Sequence, residues 1–154
     1  MKRIHVGKGT QAVLLGGYTT LLLALTLLVQ GGAGVRTNLA PFEEITRLGA
    51  RLSREGLLSA GLLYRLVGIV GNLGMFAVWA FLLFKFLDGP GRVAWRLHVD
   101  VLLSGLLFSV GIEAVQLFLP TRAADAGDVL WNLLGAACGS ALAHLGREVS
   151  LEWD

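Results

Sequence analysis

An all-α integral membrane bundle, with four transmembrane helices and one interfacial amphipathic helix in the first loop, is the fold class this sequence predicts. Of its 154 residues, 55% are hydrophobic and only 16% are charged, against about 25% charged in a typical soluble domain. Mean hydropathy is +0.67. The apolar residues gather into four runs, each near the roughly 20 residues needed to cross hydrocarbon, and most charges lie at the ends and in the loops between them. A single membrane domain over residues 1–154 accounts for this pattern.

The first run covers about residues 11–29 and follows Lys2, Arg3 and Lys8. A basic start before an apolar core also describes a signal peptide, and Gly32-Ala33-Gly34 is a small-residue stretch of the kind that is cleaved. The apolar stretch from Val13 to Val29 exceeds the usual core of about 7–15 residues, so the segment reads as a retained helix. The second span runs over about residues 62–84, the third over about 97–119 and the fourth over about 126–145. Four spans place both termini on one side.

Lysines and arginines near the span ends set the direction. Lys2, Arg3, Lys8, Lys85, Arg92, Arg96 and Arg147 fall on the side of the termini; Arg36, Arg47, Arg51, Arg54 and Arg122 fall on the other. The balance predicts cytoplasmic termini in a multi-pass protein of the cell membrane. The first-loop arginines alternate with Glu43, Glu44 and Glu55, and this segment, about residues 41–55, is predicted to be a helix lying in the interface. Pro41 suits a first helical turn, and Glu43 and Glu44 suit a helix N-terminus. Phe42, Ile45, Leu48 and Leu52 fall within about 120° of one another, opposite the charges.

The net charge of +2 comes from basic residues spread over ends and loops, which sets topology rather than forming a nucleic-acid surface. Cys138 is the single cysteine and can form no intrachain disulfide. His98 and His144 lie near the predicted cytoplasmic ends without metal-ligand spacing, and no serine–histidine or cysteine–histidine pair is evident from spacing. Carboxylate oxygens and amides could hold a divalent cation, but their spacing matches no defined loop. No metal or cofactor is assigned.

The chemistry concentrates between Glu113 and Gly139. An ionisable group at membrane depth costs roughly 2.5–3.5 kcal/mol on insertion scales and is functional by default. Ser109, Glu113 and Gln116 share one face of the third span. Asp125, Asp128, Asn132, Gly135 and Gly139 fall within about 80° of one another on the fourth. Leu119-Pro120 is expected to end the third helix, leaving Gln116 about one turn and Glu113 about two turns inside. Antiparallel pairing then sets Asp128 and Asn132 opposite Gln116 and Glu113, and Gly135-xxx-Gly139 lets the partner helix, expected to be the third span, approach closely.

Glu113 and Asp128 are the candidate catalytic groups, Glu113 as a general acid or base. Gln116, Arg122, Asp125 and Asn132 are candidate ligand contacts. The Arg122 fork can engage a carboxylate or a phosphate with paired hydrogen bonds. With Glu113, Asp125, Asp128 and Arg122 ionised, the formal charge is −2. Asn72, beside Gly68, Gly71 and Gly74, is positioned either to reach this cluster or to bond a neighbouring helix.

The run Glu113-xx-Gln116-xxxxx-Arg122-xx-Asp125-xx-Asp128-xxx-Asn132-xx-Gly135-xxx-Gly139 resembles the signature of the VanZ-like family of small bacterial membrane proteins. Asn38-Leu39-Ala40-Pro41-Phe42-xx-Ile45 is similar to that family's first-loop segment, and Asn72 with Phe76 looks like its second-span asparagine. The resemblance adds Asn38 to the ligand-binding candidates. It implies a cell-envelope role, in a family whose namesake is associated with low-level resistance to the glycopeptide teicoplanin. Expected partners are membrane lipids and either a lipid-linked envelope precursor or a glycopeptide-related ligand. The alternative is a non-catalytic accessory protein whose cluster specifies helix packing or docks a partner. An ion path is weakened because Asp100 and Ser104 lie on a different face from Glu113.

Overall fold

The structure is a computed structural model that describes residues 7–28, 38, 40, 46, 49–50, 52–54, 59–120 and 124–148. Four helices dominate it: α1 Lys8–Leu28, α2 Ala60–Leu87, α3 Ala94–Gln116 and α4 Ala126–Glu148. All four are long and apolar enough to cross a membrane. At 1.5 Å per residue α2 is about 42 Å long, well beyond a hydrocarbon core of about 30 Å, so it must tilt or project.

Local chemistry sets the helix ends. Ser59 caps α2, its Oγ accepting from Leu62 N at 3.3 Å, as an N-cap serine should. At the other end Asp88 N donates to Phe84 O, and Gly91 takes φ +76° in the turn into α3. Lys8, at the start of α1, donates Nζ to the carbonyls of Phe86 and Asp88 at 2.6 and 2.5 Å. An ammonium on the last carbonyls of a helix satisfies acceptors and complements the helix dipole. This contact also places the start of α1 beside the end of α2. Gly146, near the end of α4, lies beside Lys85 at the same end of the bundle.

α4 makes its most extensive contact with α2 and then with α3, while α1 packs on α2 and to a lesser extent on α3. The core joins Leu22 of α1, Phe76, Trp79 and Phe84 of α2, Leu97 and Val101 of α3, and Ala136 and Ala143 of α4. Trp79 stacks on Phe108 with ring centroids 5.1 Å apart and donates Nε1 to Thr19 Oγ1. Leu22 is 1% exposed and Tyr18 OH donates to Met75 O at 3.1 Å. The first run is therefore a working member of the bundle. Apolar side chains such as Val13, Val67, Leu107 and Phe118 point outward, as lipid-facing positions should.

The third helix ends at Gln116, three residues earlier than predicted. Phe118 N and Leu119 N bond the carbonyls of Val115 and Gln116 three residues back, tightening the chain before Pro120. Proline disfavours helical geometry in its predecessor and the last turn tightens to meet it. In the first loop, residues 46, 49–50 and 52–54 are helical and Leu52 is exposed. Pro41, Phe42, Ile45 and Leu48 of the predicted interfacial stripe lie outside the described residues.

Candidate functional site

Three chain segments meet at Asp125, the residue before α4. Asp125 N donates to Glu113 Oε2 at 2.8 Å. Its Oδ1 accepts from Gly127 N at 2.9 Å, the N-cap bond of α4, and from Asn38 Nδ2 at 3.2 Å. The first loop adds backbone pairing, with Asn38 N donating to Ala124 O and Ala126 N to Asn38 O, both at 2.9 Å. Asn38 and Asp125 thus form an isolated parallel β-bridge. Asn38 Oδ1 also accepts from Ala40 N, the turn that asparagine side chains favour. The first loop and the α3–α4 connection therefore occupy the same end of the bundle, opposite Lys8 and Gly146.

The pairing of α3 with α4 is antiparallel but shifted by about one turn from the predicted register. Glu113 faces Asp125, and Asn132 Nδ2 donates to Ser109 Oγ at 2.8 Å. The shift follows from the early end of α3: Glu113 is about one turn from the helix end rather than two. Gln116 does not face Asp128. Its Nε2 donates across to Thr26 O of α1 at 2.9 Å, an acceptor with no side-chain signal in the sequence. Asp128 N closes on Asp125 O at 3.0 Å, and the residue is half-buried.

Glu113, Gln116 and Asn132 are 9%, 7% and 3% exposed, so burial is real for the residues named from spacing. Asn132 Oδ1 is buried without a hydrogen-bond partner. Arg122 lies outside the described residues. Asn72 is half-buried in α2, and its side chain makes no hydrogen bond to the other described residues.

The glycine stripe serves a different helix from the one predicted. A Cβ on Gly135 would lie 2.2 Å from Leu73 O, and one on Gly139 would lie 2.0 Å from Ala77 O. Both carbonyls belong to α2. The 80° arc from Asp125 to Gly139 is wide enough to straddle two neighbours, with Asn132 on α3 and the glycines on α2. The close approach to α3 occurs instead at Gly105, whose added Cβ would sit 3.1 Å from Ala136 Cβ.

At the opposite end, His98 and His144 come together with ring centroids 5.2 Å apart, both against Phe84. His98 Nδ1 lies 3.2 Å from Ser140 Oγ, a serine–histidine contact that spacing did not reveal. Ser140 is 2% exposed and donates its hydroxyl to Ala137 O at 3.0 Å. The Ser140 hydroxyl proton can serve only one of these two acceptors at a time, and the direction of the contact with His98 follows the imidazole tautomer. Among the described residues no three His, Cys, Asp or Glu side chains group as a metal site.

These features define a four-helix, multi-pass membrane protein with a buried polar cluster at the end of the bundle where the first loop docks. A sequence model of the VanZ/LLP1 family matches residues 15–147, and the chain belongs to that family. No curated protein and no solved structure matches it.

Proposed function

We propose that this end of the bundle is a binding or reaction site for a polar molecule of the cell envelope, such as a lipid-linked headgroup, facing the extracytoplasmic side. The observation that carries this reading is the convergence on Asp125. A carboxylate from α3, a carboxylate capping α4 and an asparagine from the first loop meet at the mouth of a membrane bundle. Structural glue rarely needs this concentration of acids, and intramembrane ionisable groups usually have a task. Arg122 supplies the cation for an anionic group, Asp125 and Asn132 orient donors, and Glu113 with Asp128 moves protons if chemistry occurs. The family membership supports an envelope setting, and protection against a glycopeptide such as teicoplanin is one form it can take.

A second reading is favoured by a specific observation: Gln116, Asn132 and Asp125 each make a bond that joins one segment of this chain to another. On that reading the cluster fixes helix packing in an accessory protein. Glu113→Gln and Asp128→Asn separate the two. If both variants insert, unfold at the parent temperature and lose glycopeptide tolerance or another envelope phenotype, the site is functional. A large fall in thermal stability with the phenotype intact supports packing. Thiol labelling at Ala123→Cys in a Cys138→Ala background tests the orientation. Labelling that requires breach of the inner membrane would place the site on the cytoplasmic side.

A further inference from the structure

A groove of about 200 Å³ runs between α3 and α4 directly below the polar end. Among the described residues it is lined by Val110 and Ala114 of α3, Leu117 at the C-cap of that helix, Ala124 of the connection and Ala126 and Val129 of α4, with Glu113 the one ionisable side chain among them. Val110 and Leu117 are exposed on the outer surface of a membrane-crossing helix, so the groove opens to hydrocarbon rather than to the interior of the bundle. Ala124 and Ala126, on either side of Asp125, are both part of its lining. We infer that the groove holds one hydrocarbon chain of a membrane amphiphile, whose headgroup thereby reaches the Asn38–Asp125–Glu113 cluster from within the bilayer. This rests on the binding-site reading above and narrows it to a lipid-linked ligand that enters sideways.

The position and the lining of the groove select the occupant. Val110 and Leu117 lie about 10 Å apart along the helix direction, so the groove sits at the end of α3 that carries the polar cluster. The described lining supplies aliphatic contacts, with Glu113 as its one polar side chain, so a soluble polar compound gains little from it. A chain seated here positions its headgroup beside Asp125 without any need to cross the aqueous face of the cluster.

The full-length protein, reconstituted in vesicles of phosphatidylethanolamine and phosphatidylglycerol, tests this with a phosphatidylglycerol that carries a diazirine a few carbons below one ester. After irradiation, label mapped by peptide mass spectrometry should fall on Ala114, Leu117 and Val129 in several-fold excess over Val67 and Val70, which are apolar and exposed on α2. Ala114→Phe, which fills the groove, should remove the excess and leave the α2 background. Even labelling of the two faces in the parent protein, which needs no variant to fold, overturns the inference. An excess that survives Ala114→Phe overturns it as well. Even labelling together with loss of the envelope phenotype in Glu113→Gln sinks the groove alone. A groove excess together with an unchanged phenotype in that variant sinks the headgroup reading alone.

Discussion

Against α2, α4 presents Gly135 and Gly139, and the two backbones meet with no room for a side chain. Against α3, the same helix presents Asn132, Ala136 and Ser140, and the described seam runs as rungs: Glu113 with Asp125, Ser109 with Asn132, Gly105 with Ala136, His98 with Ser140. One face closes by shape and the other by hydrogen bonds. Lipid supplies no hydrophobic force between helices, so each seam must gain from close packing or polar pairing. The glycine seam specifies distance. The polar seam specifies register, because a slip of one turn breaks the rungs together. Among the described residues, the proposed ligand contacts Asp125 and Asn132 lie on the polar seam.

The largest effect should come from the glycine seam. Gly139→Ala places a methyl group 2.0 Å from Ala77 O, and a backbone carbonyl in a packed helix cannot swing aside. Overpacking of this kind costs about 1–3 kcal/mol and occasionally more, with the upper end expected where a backbone carbonyl is in the way. Denaturant or heat unfolding in mild detergent should show it. Gly68→Ala is the control, since an added Cβ there meets nothing within 4 Å and should change stability by less than about 0.5 kcal/mol. Equal losses at both positions would break the contrast between the seams.

Next is Glu113. Glu113→Ala removes the acceptor of the Asp125 amide and should cost about 1–3 kcal/mol. Glu113→Gln keeps an oxygen at that place and should lie closer to the parent. If Gln is as damaging as Ala, the negative charge itself holds the end of the bundle together. Deeper in the seam, the Ser109–Asn132 bond should show a coupling of about 0.6 kcal/mol, and at most about 1.7, in a double-mutant cycle. Because Asn132 Oδ1 already lacks a partner, Ser109→Ala with Asn132→Leu should be nearer the parent than Ser109→Ala alone, which strands the amide further.

The two seams were unequally legible from the sequence. Span positions follow from hydropathy, and the burial of Glu113, Gln116 and Asn132 follows from helical spacing, because both are properties of one helix at a time. Which helix receives a face is a property of two. An 80° arc cannot say that Gly135 and Gly139 belong to α2 while Asn132 belongs to α3. Register failed for a local reason: Pro120 tightens the chain over Leu117–Leu119, and the loss of nearly one turn moves Glu113 from Asn132 to Asp125. Thr26 was unreadable because its contribution to Gln116 is a backbone carbonyl, which any residue carries. His98 and His144, 46 positions apart, meet only because α3 and α4 run antiparallel.

The smallest expected effect lies where the first loop joins the polar seam. Asn38 is held to α4 by two backbone bonds of 2.9 Å and one side-chain bond of 3.2 Å. Asn38→Ala deletes the side-chain bond and the local turn on Ala40 but leaves the backbone pair able to form. A single neutral hydrogen bond is worth about 0.5–1.5 kcal/mol, and the surviving pair should keep the loss near the lower end. Global unfolding will therefore move little, and hydrogen exchange at the amides of Asn38 and Ala126 is the sharper measurement. Both should exchange faster in Asn38→Ala while the amides of Ala136 and Ala143, deep in α4, stay unchanged. Asn38→Asp separates a bonding role from an electrostatic one, since it replaces the donor with a second carboxylate facing Asp125. If Asn38→Asp loosens the loop much more than Asn38→Ala does, repulsion between like charges controls docking. Equal loosening in the two variants would mean that loss of the side-chain donor, and not repulsion, sets the effect.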